Sequence, residues 1–316
     1  MIFCDVSWSR KSKHIIANYC KLMNITAKLK KIAPDLLYSN GGYENIFAVK
    51  LAKRLKIRLI THVRNFFPPL GKDKYQFGKS DVIIACSNFV AKTPKEFNSN
   101  VQMVHNGISA DKFNPQIKLL KKQIRQQFGF KDEVLIGSVG NVQERKGYRE
   151  FVEVANEVLK KIPSGKFLII GEDSTGSVFT ENLKKRIKYL GLEEKIVFMG
   201  FVKEIDKIFA ILDIFLFPTR NEPFGRSIIE AIACKVPVIS CDSGAVEEII
   251  ENEKDGFLFK IGDVNGMAQC VVDLIKDKEL ADTITENAYR KFTDQYTIDK
   301  VISKVDSIIT ALFSKN

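Results

Sequence analysis

Histidine and tryptophan are scarce in this chain of 316 residues, with three of the former and one of the latter, and its six cysteines form no C-x-x-C pair. A structural zinc site draws four such ligands from close spacings, so none is expected. Cys4, Cys20, Cys86, Cys234, Cys241 and Cys270 read as reduced and mostly buried. No apolar run reaches the ~18 residues that a membrane-spanning helix needs. The N-terminus has no charged-then-apolar leader with a cleavage site, which makes a cytoplasmic protein the expectation. No Asp-x-Asp metal motif lies at a strand end, and no internal repeat or low-complexity tract is present. A sequence pI near 9.2 raises nucleic acid as a partner. No helix-turn-helix, zinc-finger or aromatic RNA-binding pattern accompanies it, and nucleic acid is excluded on that ground.

What the chain does have is 45% hydrophobic content, enough for two domains with their own cores. Apolar strand patterns alternate with helical ones, the mark of parallel α/β sheets. In the first half the strands are expected near 35–39, 57–63, 81–86 and 101–105, with a helix at 44–55. A connector with a basic helix at 117–128 follows, and a second alternation runs through strands near 134–139, 166–170, 196–198, 214–217, 236–240 and 257–259. An amphipathic helix over 297–313 closes the chain.

Charge is divided unevenly. Residues 1–115 carry 19 Lys and Arg against 7 Asp and Glu, a net +12, while the remainder is close to balanced. An anionic membrane surface or a lipid diphosphate acceptor would account for that asymmetry. Ile15, Ile16, Tyr19, Leu22 and Met23 recur at helical spacing, with Arg10, Lys11, Lys13, Lys21, Lys28, Lys30 and Lys31 around them. This pattern fits a basic helix lying on a membrane, and equally one packed on its own sheet with a solvated basic face.

The most informative stretch runs from Arg220 to Glu248, RNEPFGRSIIEAIACKVPVISCDSGAVEE. Ile214–Phe217 reads as a buried strand, Pro223-Phe224-Gly225 as a turn, and Ser227 to Cys234 as a helix whose first amides face the strand end. A helix start of this kind attracts phosphate oxygens. Glu222 precedes the helix and Glu230 lies about two turns along it, so two carboxylates could hold the two ends of a diphosphate-linked ligand. Two solvated glutamates on a surface helix would give the same spacing. Upstream, Arg145-Lys146-Gly147 follows a strand end and offers two cations and a flexible turn suited to two phosphates.

The segment 220–248 resembles the donor-site signature of retaining family 4 glycosyltransferases, the "glycosyl transferases group 1" type with the GT-B fold. The resemblance extends through Pro237-Val238-Ile239-Ser240, Ser243-Gly244 and Asp255-Gly256-Phe257-Leu258. It also takes in IGSVGNVQERKG at 136–147, LIIG at 168–171, SDVIIACSNFV at 80–90 and VHNGISADKF at 104–113. It implies two Rossmann-like α/β domains facing across a cleft. These would be an acceptor-side domain at 1–115, a linker at 116–130, a nucleotide-sugar-binding domain at 131–296 and a helix at 297–316 that returns to the first domain. The family opens with a strand, a glycine-rich turn and a helix, whereas Met1 to Arg10 holds no glycine, so the first domain is expected to be shortened by one strand-helix unit.

By the same resemblance, Lys146 would bind the diphosphate with Arg145, and Asn141 stands where the family usually has an arginine. Glu222 would hold hydroxyls of the transferred sugar, Glu230 the ribose hydroxyls, and the amides of Phe224, Gly225 and Arg226 would face the phosphates. His62, at the end of a first-domain strand, would sit over the sugar, with Arg64 two residues on as the other candidate for that position. A histidine packed at a strand end remains an alternative for His62. The implied reaction is a metal-independent transfer with retention, needing no cofactor. The donor would be a nucleotide-diphosphate sugar and the acceptor a glycan or lipid-linked species in cell-surface polysaccharide or lipopolysaccharide synthesis, with peripheral contact to the inner face of the membrane. A catalytically weak nucleotide-sugar-binding fragment or subunit of a split enzyme is the alternative.

Overall fold

The computed structural model describes residues 15–173 and 178–314. The chain divides into two compact units, Met1–His105 with Val305–Asn316, and Asn106–Lys304. Each is an α/β unit on a parallel sheet, as the alternating pattern implies.

In the first unit the strands β1 (Leu36–Gly41), β2 (Arg58–Val63), β3 (Val82–Ala85) and β4 (Val101–Met103) pair in sequential order. The helices are α1 (Ile15–Ile32), α2 (Asn45–Leu55) and α3 (Asn88–Lys95). Successive strand residues point to opposite faces. Leu59 packs with Ala48 and Ala52 of α2, and the Thr61 hydroxyl donates to Asn45 Oδ1 at 2.5 Å, so Ile60 and His62 belong to the face turned away from α2. Asn45 is fully buried and its amide donates to the carbonyls of Tyr75 and Gln76, tying the long loop after β2 to the helix.

Leu22 and Leu29 of α1 are buried against Phe47 and Leu51 of α2. Leu22 and Leu29 are thus spent on intramolecular packing, while Met23, Lys28, Lys30 and Lys31 stay exposed. Arg10, Lys11 and Lys13, and the opening unit expected to be missing, bear on residues outside those described. The side chains of Ile15, Ile16, Tyr19 and Cys20 also fall outside them. Among the described residues no helix is long and apolar enough to cross a membrane.

The second unit holds six parallel strands, β5 (Val134–Val139), β6 (Gly165–Ile170), β7 (Ile196–Gly200), β8 (Ile214–Phe217), β9 (Val238–Cys241) and β10 (Phe257–Phe259). Their order is β10-β9-β8-β5-β6-β7. The chain therefore winds outward from β5 in one direction and from β8 in the other. Open α/β sheets bind ligands where the order reverses, outside the carboxyl ends of the two neighbouring strands. Its helices include α4 (Lys121–Gln127), α5 (Tyr148–Lys161), α6 (Val178–Tyr189), α7 (Ile205–Ile211) and α8 (Arg226–Ala233), of which α5, after β5, and α8, after β8, frame this edge.

Residues 116–130, expected as a linker, are built into the second unit. A 3₁₀ turn (Pro115–Leu120) leads into a helix (Lys121–Gln127), whose Lys121 and Arg125 each reach a carboxylate oxygen of Asp213 at 2.7 Å. Arg125 also donates to the carbonyls of Ile211 and Glu133, and the amide of Leu135 donates to Asp213 at 2.8 Å. These bonds fix the segment to the start of β5 and to the turn before β8. The first unit ends at His105 instead of residue 115, since Ile108 pairs with Tyr296 and Ile298 inside the second. The closing helix (Ile298–Phe313) starts in the second unit, and its residues from Val305 group with the first.

Candidate functional site

The carboxyl ends of β5 and β8 bring together side chains that lie far apart in sequence. After β5 the chain turns through Gly140 and Asn141 into a 3₁₀ turn (Glu144–Lys146) and enters α5 at Gly147. Gly147 has φ +71, and a Cβ there would fall 1.7 Å from the Pro218 carbonyl oxygen, so only glycine lets the two loops touch. After β8, Asn221 takes a left-handed conformation with φ 50, and its amide donates to Ser243 Oγ at 2.8 Å. Glu222 forms a parallel bridge with Gly244, and its carbonyl accepts from the Ala245 amide at 2.9 Å. Gly244 is required by the same logic, since a Cβ would lie 2.4 Å from the Glu222 carbonyl oxygen.

These constraints hold the Glu222 carboxylate beside the loop after β5. Its Oε2 accepts from Lys146 Nζ at 2.8 Å, from Thr219 Oγ1 at 3.1 Å and from Arg145 Nη1 at 3.3 Å. Lys146 runs past Gly140, whose missing side chain makes room for it, and its ammonium lies 4.6 Å from the centre of the Phe217 ring. Lys146 is 9% exposed and Glu222 6%, so the pair has little water to screen it. Burial by itself would raise the Glu222 carboxyl, but Lys146 first, then Arg145 and Thr219, outweigh it and hold the group below the usual carboxylate range. At Lys146 burial wins over the pull of Glu222, and its ammonium is held below the ordinary lysine value. The cluster is an ion pair carrying two cations on one carboxylate.

Glu230 occupies the second turn of α8, 6% exposed, and accepts from Arg226 Nε at 2.9 Å. Burial raises its carboxyl above the ordinary value, and Arg226 opposes that shift only in part. Gly225, with φ +102, starts the helix, and the ring of Phe224 packs edge-on to Tyr296. First-turn amides of a helix lack intrahelical partners and present positive charge to an anion. The Asn141 side chain, in contrast, is on the exposed side of its loop.

In the first unit His62 and Arg64 form a separate polar cluster at the end of β2. Tyr38 Oη lies 2.5 Å from His62 Nδ1, Arg64 Nη2 lies 3.3 Å from the same atom, and Arg64 Nε donates to Asn40 Oδ1 at 2.7 Å. Burial, then the charge of Arg64, pushes the imidazole down to about 3, so the ring is neutral.

Sequence reasoning missed Thr219, Tyr38 and Asn40, and read Ser243 only as part of a family motif. Thr219 is three residues ahead of Glu222, a spacing that a search for supports of that carboxylate could have used. Tyr38 and Asn40 gave no signal, because their neighbours belong to another strand. The expected phosphate ligands Arg145 and Lys146 and the expected sugar ligand Glu222 prove to be one contact group.

Comparison with known proteins gives this geometry a context. Residues 121–291 match the protein family described as Glycosyl transferases group 1. The N-acetyl-alpha-D-glucosaminyl L-malate synthase of Bacillus anthracis is 24% identical over 303 residues, covering 90% of this chain and 77% of that protein. The capsular polysaccharide biosynthesis glycosyltransferase CapM of Staphylococcus aureus is 28% identical over 214 residues, 67% of this chain, and the match spans 54% of its own length. Among solved structures, Anabaena Alr3699/HepE in complex with UDP and glucose superimposes with a TM-score of 0.82 at 19% identity, covering 96% of this chain and 84% of that one. That likeness shows a shared fold.

Proposed function

The chain belongs to the glycosyl transferases group 1 family, and from that premise we propose that it moves a sugar from a nucleotide-diphosphate sugar to a glycan or lipid-linked acceptor, with retention of anomeric configuration, in cell-surface polysaccharide or lipopolysaccharide synthesis. The observation that carries this reading is the convergence of Lys146 and Arg145 on Glu222 at the switch point of the second sheet. A diphosphate bound against the start of α8 lies within the field of both cations. Lys146, desolvated and ready to exchange part of its bond to Glu222 for a phosphate oxygen, stabilises the charge that grows on the leaving group. Glu222 then accepts from hydroxyls of the transferred sugar, and Glu230 from the ribose hydroxyls.

In the transfer step the bond from the anomeric carbon to the diphosphate oxygen breaks. The acceptor hydroxyl forms its new bond on the same face and passes its proton to the departing phosphate. The protein contributes position and charge, with no covalent intermediate and no metal in this proposal. One relative supports the biosynthetic context, being named for capsular polysaccharide biosynthesis. The basic first unit fits an anionic acceptor or membrane surface.

A melting-shift screen against UDP-, GDP- and ADP-sugars identifies the donor, since a ligand of the folded state raises apparent stability. The donor found is then incubated with crude membranes, and the anomeric configuration of the product is read by NMR. Donor binding without transfer would leave a nucleotide-sugar-binding protein, and an inverted product would overturn the retaining step.

A further inference from the structure

Beyond the carboxyl ends of β2 and β3, which are neighbours in the first sheet, the chain places two Asn-Phe pairs, Asn65-Phe66 and Asn88-Phe89. The two phenyl rings stack, with centroids 4.7 Å apart and an angle of 18° between their planes. The Lys92 ammonium lies over Phe89, 5.4 Å from its centre. Phe66 is half-buried, and Phe89 is the one ring that meets it among the described residues, which leaves its second face without a ring or a cation. Both rings are held in place. Phe89 sits in the first turn of α3, which Ser87 caps by accepting from the Val90 amide at 3.1 Å. The Thr93 hydroxyl of the same helix donates to the Phe67 carbonyl at 2.5 Å, tying the loop that carries Phe66 onto α3. Phe67 itself is fully buried against Tyr75 and Phe77. A single half-exposed phenylalanine is ordinary protein surface. A ring fixed on its flanks, with one face bare, is pre-organised for a flat ligand. Asn65 and Asn88 are exposed beside the two rings, and a primary amide both donates and accepts. Parallel α/β sheets take their ligands outside the carboxyl ends of their strands.

We propose that Phe66 is a stacking platform for a pyranose ring of the acceptor, with the amides of Asn65 and Asn88 at hand for its hydroxyls. This rests on the glycosyl-transfer reading given above and names within it a residue that selects the acceptor. Every residue invoked belongs to the first unit. The face of an aromatic ring carries negative charge density and attracts the slightly positive C–H groups that a pyranose gathers on one side of its ring. An alkyl chain would gain from any apolar surface of the same size and has no use for the amides. The pairing of a flat ring with amides therefore favours a sugar over a lipid tail.

The test reads sugar binding with no nucleotide present. Saturation-transfer difference NMR is run on the full chain with the methyl glycosides of glucose, galactose, mannose and N-acetylglucosamine in turn. At least one should bind, with the strongest saturation on ring hydrogens of one face. Phe66→Ala and Phe66→Leu should each weaken that binding on the order of tenfold, the worth of one aromatic contact, while Phe66→Trp retains it. Leucine keeps the apolar contact and removes the π face. Equal binding by wild type and Phe66→Leu would thus overturn the platform and assign the ring to an alkyl occupant. Failure of all four glycosides to bind the wild-type chain overturns it too. In transfer from the donor found by the melting screen to crude membranes, Phe66→Leu should raise the KM for acceptor by a similar factor, with nucleoside diphosphate affinity unchanged and melting close to wild type. A loss of nucleotide affinity in place of that KM change overturns the acceptor role. Failure of the transfer reading is seen separately, as the absence of product with the unmodified chain, because the glycosides are read without any donor.

Discussion

Replacing Lys146 with alanine tests both stability and donor binding in one variant. In the folded chain the Glu222 carboxylate has Lys146 at 2.8 Å and Arg145 at 3.3 Å, with side-chain exposures of 11% and 45% for the two cations. Removing one partner of a buried ion pair costs ~3–5 kcal/mol, because the remaining charge stays desolvated. Arg145 and Thr219 remain, so the low end, about 3 kcal/mol, is expected. For a unit of this size that lowers the melting temperature on the order of 10 °C. If the cost is the stranded carboxylate, then Lys146→Ala with Glu222→Gln should be more stable than Lys146→Ala alone.

The pH dependence follows from the direction of the Glu222 shift. Its folded value is depressed, so its contribution is present above the ordinary glutamate value of ~4.3 and is lost as the pH falls through the folded value. The stability gap between wild type and Lys146→Ala should therefore be widest near neutrality and close in acid. Loss of the contact to the leaving diphosphate should cost on the order of 100-fold or more in turnover. Thermal melts from acid to neutral pH, with titration of the nucleoside diphosphate, check both. A variant that binds the diphosphate as tightly as wild type would refute the phosphate role, and a double variant no more stable than the single would refute the ion-pair argument.

Glu222→Ala should impair transfer more than nucleoside diphosphate binding, because its proposed partner is the sugar; equal losses in kcat and in affinity would count against that role. Glu230, held above its ordinary value by burial, favours the folded state fully below the unfolded value and costs stability as the pH rises through the folded one. Glu230→Gln should then melt no lower than wild type in mild alkali while binding nucleotide about tenfold or more weakly, which calorimetry and melting together would show. Gly147→Ala should unfold or displace the loop, since its Cβ would overlap the Pro218 carbonyl at 1.7 Å, and a soluble variant with wild-type melting would contradict the packing described. Co-sedimentation with vesicles should rise with anionic lipid and fall with salt if the basic first unit docks on a membrane; equal binding to neutral and anionic vesicles would favour a soluble acceptor.

The sequence by itself determined the elements. Val82-Ile83-Ile84-Ala85 and Ile214-Phe215-Leu216-Phe217 are continuous apolar runs, and each forms a strand buried on both faces. A run of that kind is a local property that short-range sterics and burial fix wherever the strand ends up. Lys146, Glu222 and Glu230 were also legible one at a time, from the turn and helix start around each. The contacts among them were not. The Lys146–Glu222 bond joins residues 76 apart, and it exists because β5 and β8 are neighbours in the sheet, a pairing that no local period encodes. The same holds for 116–130, which reads as a linker until Asp213 is placed under Lys121 and Arg125. It holds for His62 too, whose Nδ1 is met by Tyr38 on the next strand and by Arg64 two residues on. Strand pairing and register bring such groups within bonding distance, and at those distances a low local dielectric makes charge and hydrogen bonding decide protonation. For that reason the tertiary structure alone decided which groups share a proton or a charge.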